Sequence, residues 1–94
     1  MIRARFVVRG RVQGVNFRAA AVREAQAHGL SGCVWNRADD AVELIAEGDA
    51  HALGALAKWL AHGPRLAKVE RVDRSDLGGE SRYQDFTVAY AAPE

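Results

Sequence analysis

The chain has 94 residues, 49% of them hydrophobic and 27% charged, a balance that excludes a disordered polymer and leaves room for one core, so a single domain over residues 1–94 is expected. Its one cysteine, Cys33, excludes an intrachain disulfide and a cysteine zinc cluster, and no apolar run reaches the length of a signal-peptide core or a membrane span, so a cytoplasmic protein with no membrane contact is expected. The net charge of +1 hides an asymmetry, because Arg3, Arg5, Arg9, Arg11, Arg18 and Arg23 all precede the first acid, Glu24; that field attracts small phosphorylated or carboxylated ligands or nucleic acid unless the acids of residues 39–49 balance it across the fold.

From residue 2 to residue 12 the side chains alternate, with Ile2, Ala4, Phe6, Val8 and Val12 on one parity and Arg3, Arg5, Arg9 and Arg11 on the other, which predicts a half-buried strand. Gly10 and Gly14 interrupt it. Phe17, Ala20, Ala21, Ala25 and His28 then share one face of a helix expected to stop at Gly29, with Leu30 making the apolar contact of a left-handed cap. A strand near residues 32–37, a turn at Asp39 and Asp40 and a strand over residues 41–47 read as a hairpin. Asp49 is a good N-cap for a second helix, in which Leu53, Leu56, Ala57 and Leu60 repeat until Gly63-Pro64 ends it. Residues 67–73 are strand-like, but Val69 and Val72 differ in parity, which predicts a bulge or an edge position. Residues 74–84, with Gly78-Gly79, are expected to form a long mobile connection before a last strand in which Phe86, Val88 and Tyr90 alternate. This order suits an α+β, ferredoxin-like sandwich, with two helices packed on one face of an antiparallel sheet.

The stretch that carries chemistry is Gly10-Arg11-Val12-Gln13-Gly14-Val15-Asn16-Phe17-Arg18, between the first strand and the first helix. Two glycines permit a tight loop whose backbone N–H groups, with those of the helix start, form a cradle for an anion. Arg18, in the first helical turn, can lean back over the same spot, and a guanidinium binds phosphate in bidentate fashion. The spacing is neither that of a Walker loop nor Gly-x-Gly-x-x-Gly, Gly-x-Ser-x-Gly is absent, and Cys33 has Asp39 six residues on where a cysteine phosphatase needs arginine. His28, His51 and His62 are not spaced as helical metal ligands, so chemistry without a metal, a cofactor or a covalent intermediate is expected. Taken alone, Asn36 reads as a turn-proximal amide bonding its own backbone.

Residues 8–18, VRGRVQGVNFR, resemble the signature of the acylphosphatase family at every position that defines it. The resemblance continues through Gly32-Cys33-Val34-Trp35-Asn36, Val42-Glu43, Glu47-Gly48, Gly63-Pro64 with Ala67 and Val69, and Phe86-x-Val88-x-Tyr90, in order over nearly the whole chain. It implies a ferredoxin-like enzyme that hydrolyses acyl phosphates, small mixed anhydrides of a carboxylic and phosphoric acid, to a carboxylate and inorganic phosphate. It further implies that the loop of Arg11, Val12, Gln13, Gly14, Val15, Asn16 and Phe17, with Arg18, holds the phosphoryl group while Asn36 orients the attacking water. Three positions depart from the family pattern. Cys33 and Trp35 flank Val34 where the family favours an aromatic and a basic or small residue, which raises the expectation that Trp35 alters access to Asn36, and Asp40 stands where the family has glycine. A carboxylate leaves as a stable anion, so no general acid is required, and a cradle, one arginine and one amide suffice. The competing readings are a non-catalytic module binding a small anion and an RNA-binding domain; against the latter, Phe6 is the only aromatic in the first strand. A monomer that binds neither nucleic acid nor membrane is the expected form.

Overall fold

Alternation in the first residues builds the strand around which the sheet is arranged. The computed structural model describes residues 1–93 and contains β1 (Ile2–Arg11), α1 (Phe17–Ala27), β2 (Ser31–Asn36), β3 (Val42–Gly48), α2 (Ala50–Leu60), β4 (Lys68–Leu77) and β5 (Phe86–Val88). Ala4, Phe6 and Val8 of β1 are fully buried and join Val34, Val42, Leu44 and Ala46 from the neighbouring strands in one cluster. Phe17, Ala21 and Ala25 of α1 and Leu53, Leu56 and Leu60 of α2 close that cluster from above, so both helices lie on the same face, as expected of a ferredoxin-like sandwich.

Strand order is β4-β1-β3-β2-β5. β1 pairs antiparallel with β3 and β4, and β2 antiparallel with β3, but β5 runs parallel to β2, with Gly32 opposite Phe86 and Val34 opposite Val88. The sheet is therefore mixed rather than wholly antiparallel. The reason is the path after β4, which crosses from one edge of the sheet to the other instead of folding back as a hairpin.

That crossing corrects a second expectation. Residues 74–77 continue β4, and the remaining link is tied down: the Glu47 carboxylate on β3 accepts from Ser81 Oγ at 2.7 Å and from the amides of Arg82 and Tyr83 at 3.0 and 3.2 Å. Tyr83 and Leu77 then pack on Cys33, Trp35 and Ile45, a small cluster on the helix-free face. The last strand ends at Val88, so Tyr90 lies beyond it and is exposed.

Local signals behave as the chemistry demands. Asp49 Oδ1 accepts from the Ala52 amide at 2.7 Å, a cap commonly worth about 1 kcal/mol. Gly29 takes φ 70°, and the bonds from Leu30 N–H to Ala25 and from Gly29 N–H to Gln26, at 3.0 and 3.1 Å, close α1 as a Schellman motif. His28 is the exposed C-cap residue of the helix, 3.2 Å from Glu24. In β4, an edge strand, Glu70 is the extra residue of a bulge, since Arg9 faces Arg71 while Gly10 faces Val69. Gly10 is required there: at φ 130° a Cβ would collide with the Lys68 carbonyl oxygen.

Candidate active site

Because β1 and β2 are both antiparallel to β3, they run parallel to one another, and their C-terminal ends meet at one edge of the molecule. The loop that follows β1 and the residue that ends β2, Asn36, thereby become neighbours. Val12, Val15 and Phe17 anchor the loop inward: Val12 and Phe17 are almost wholly buried, and the Phe17 ring lies 5.5 Å from that of Trp59, tilted by 56°. With these side chains committed to the core, the backbone between them faces out.

Gly14 at φ 74° and Asn16 at φ 65° both take the left-handed conformation, which asparagine tolerates better than most residues. Asn16 is the N-cap of α1, yet its side chain makes no capping bond. Among the described residues no backbone carbonyl accepts from the amides of residues 13–19. These unpaired donors stand at the positive end of the α1 dipole, an arrangement able to hold an anion.

Arg18, the second residue of α1, shares a pocket of about 260 Å³ with Gly14, Asn16, Asn36, Val88 and Tyr90. Its Cζ lies 5.8 Å from the Tyr90 ring centroid, within cation–π reach, and among the described residues no carboxylate pairs with it. Asn36 brings to the same pocket an amide whose Oδ1 is buried with no hydrogen-bond partner among the described residues. Buried acceptors are rarely left so, which marks this oxygen as poised for something other than the fold. The turn-local bonding expected of an asparagine in isolation is not what its oxygen does.

The other loop residues divide. Arg11 is exposed and does not line the pocket. Gln13 does not line it either; its Nε2 donates to the carbonyls of Arg37 at 2.8 Å and Ala41 at 3.0 Å, tying the loop to the hairpin that carries Asn36. Val15 lies beneath the loop. Sequence reasoning missed Ala19, Val88 and Tyr90 as pocket residues; the Phe86-x-Val88-x-Tyr90 alternation was the available signal, but it pointed to a strand face instead. Trp35 does not line the pocket that Asn36 shares with Arg18. It has the opposite strand parity and is 2% exposed on the helix-free face, beside Cys33.

Three of the six arginines of the basic N-terminal quarter are paired with acids on that same face. Arg3 Nε meets Glu47 at 2.7 Å, Arg5 meets Glu43 at 3.0 Å and Arg9 meets Asp39 at 3.0 Å, while Arg37 bridges Asp39 and Glu43. Hydrogen bonds from Arg37 and then Arg9 hold Asp39 well below the carboxylate range, and Asp39 and Glu43 raise Arg37. Burial pushes Glu47 upward, but Arg3, Ser81 and the Arg82 and Tyr83 amides outweigh it, so its pKa is lowered. The acids of residues 39–49 thus balance β1, and Arg18 stands apart from that ladder. Among the described residues no three His, Cys, Asp or Glu side chains gather as metal ligands, and no helix is long and apolar enough to cross a membrane.

Comparison with known proteins adds the following. A family model described as Acylphosphatase matches residues 4–88. The acylphosphatase of Methylococcus capsulatus is 44% identical over 88 residues, which are 94% of this chain and 96% of that protein. The crystal structure of acylphosphatase from Bacillus subtilis superimposes with a TM-score of 0.92 at 34% identity, covering 96% of this chain and 100% of the other. The structure of an acylphosphatase from Coxiella burnetii gives a TM-score of 0.89 at 35% identity, covering 94% of this chain and 92% of the other.

Proposed function

The chain belongs to the acylphosphatase family and hydrolyses acyl phosphates, and we propose that it does so with the residues gathered at the β1–α1 loop. In this reading the amides of the loop and helix start, with the Arg18 guanidinium, hold the phosphoryl oxygens. Asn36 Oδ1 accepts a hydrogen bond from water and so aims the water's lone pair at phosphorus. The water oxygen forms the new bond to phosphorus as the bond to the acyl oxygen breaks, and that electron pair leaves on the carboxylate. Both protons of the water end on inorganic phosphate, so a dianionic acyl phosphate yields one carboxylate and one dihydrogen phosphate with no proton supplied by the protein. Charge stabilisation and positioning are the whole task.

The observation that carries the reading is the convergence on one pocket of residues whose donors have no protein acceptors, Gly14 and residues 16–19 with the Arg18 guanidinium, and an acceptor without a donor, Asn36 Oδ1. The test is turnover of benzoyl phosphate with competitive inhibition by inorganic phosphate. Turnover insensitive to phosphate would overturn the cradle as the site. We further read the chain as a single-domain cytoplasmic monomer that binds no nucleic acid, since Arg3, Arg5 and Arg9, among the arginines that suggested such a partner, are paired with Glu47, Glu43 and Asp39.

A further inference from the structure

Three large apolar side chains stand exposed among the described residues, Met1, Leu66 and Tyr90, and two of them flank the cradle. β1, whose end carries the loop, has β4 on one side and β3, then β2 and β5, on the other. Tyr90 follows β5 and Asn36 ends β2, so both lie on one flank. Residues 64–66, a turn closed by the Ala67 amide on the Pro64 carbonyl at 3.0 Å, lead into β4 and lie on the opposite flank. There Val15, Asn16, Pro64, Arg65 and Leu66 line an open recess of about 410 Å³ whose walls are mostly carbon. Asn16 belongs to both this recess and the pocket of Arg18.

In-line displacement decides which flank takes the acyl group. The attacking and leaving oxygens stand roughly opposite each other across phosphorus. With the water held at Asn36, the departing carboxylate must point away from Asn36 and Tyr90, toward Pro64–Leu66. We infer that the Val15–Asn16–Pro64–Arg65–Leu66 recess is the acyl subsite, and that it favours acyl phosphates with an apolar body, such as an aromatic ring, over small acyl groups. Leu66, 69% exposed, supplies the apolar contact. Arg65 brings a positive charge of the sign that suits the carboxylate left behind. The inference rests on the water-positioning role of Asn36.

The experiment compares kcat/KM for benzoyl phosphate and acetyl phosphate in the unaltered protein, Leu66→Ala, Leu66→Phe and Tyr90→Ala. Leu66→Ala should lower the benzoyl-to-acetyl ratio about five- to tenfold, the scale of losing part of a leucine contact, and Leu66→Phe should preserve it. The inhibition constant of inorganic phosphate should move less than about twofold in both Leu66 variants, because phosphate itself does not reach the recess. Tyr90→Ala should reduce both substrates alike. An unchanged ratio in Leu66→Ala, or a ratio that moves in Tyr90→Ala instead, overturns the subsite while leaving the hydrolytic reading standing. Failure of the unaltered protein to turn over either compound overturns both.

Discussion

Gln13 donates its side-chain N–H to the carbonyl oxygen of Arg37 at 2.8 Å, one residue after Asn36, and with a second bond to Ala41 at 3.0 Å it joins the β1–α1 loop to the strand end that carries Asn36. Two segments separated by more than twenty residues are held in register by one amide group. Its removal should therefore disturb geometry rather than charge.

Gln13→Ala is expected to lower stability by about 1 to 3 kcal/mol, the cost of leaving part-buried carbonyls short of donors. Gln13→Glu should be worse, because a carboxylate faces two carbonyl oxygens that it cannot donate to. Urea denaturation of the two variants orders them, and a Gln13→Glu protein as stable as the unaltered one would remove the tie from the account.

Arg18 and Asn36 should fail in different ways. Arg18→Ala ought to weaken inhibition by inorganic phosphate as well as turnover, since a charged hydrogen bond is worth about 1.5 to 3 kcal/mol in ground and transition states alike. Asn36→Ala should lower kcat by roughly a hundredfold or more with phosphate affinity nearly unchanged. Equal loss of phosphate binding in both variants, each folded by circular dichroism, would give Asn36 a ligand-holding role instead.

Asp40 sits at φ 72° in the turn between β2 and β3, where glycine meets no steric penalty. Asp40→Gly is expected to leave the fold intact and raise stability by between zero and about 1 kcal/mol, relief of the left-handed strain being partly offset by the entropy of the unfolded chain. Thermal unfolding reads the sign; a loss above about 2 kcal/mol would contradict the strain argument.

Stability should fall in acid through Glu47. Its folded pKa is depressed below the ordinary value of 4.5, so the stabilisation is fully present above that value and disappears as pH falls through the lower, folded pKa. Glu47→Gln is expected to be less stable at pH 7 and to lose less stability on acidification than the unaltered protein. Arg3→Ala, which strands a carboxylate that is 2% exposed, should cost about 3 to 5 kcal/mol at pH 7. Parallel acid profiles for the unaltered protein and Glu47→Gln would place the acid sensitivity elsewhere.

Turnover should survive EDTA, because the reaction as derived uses backbone amides, a guanidinium and an amide oxygen. Full loss on chelation with recovery on adding magnesium or zinc would require a different mechanism.

Much of the architecture was legible along the chain because it is local. Alternation assigns a strand's two faces, Asp49 and Gly29 mark helix ends through their own backbone chemistry, and the parity break between Val69 and Val72 announced the bulge at Glu70. The unpaired amides after β1 were also readable, since two glycines and a helix start next to each other dictate where amides go without backbone partners. What depended on tertiary structure was everything fixed by residues distant in sequence. Glu47 gathers Arg3 and the Ser81–Tyr83 segment, and so carries the chain across the sheet to lay β5 parallel to β2. Glu47, Glu43 and Asp39 took up three of the arginines that looked like a ligand field, strand parity set Trp35 on the helix-free face, and the meeting of two parallel strand ends put Asn36 beside Arg18. Periodicity records which way a side chain faces relative to its own backbone; it holds no information on which strand lies alongside, and that neighbour decides both charge balance and the composition of the site.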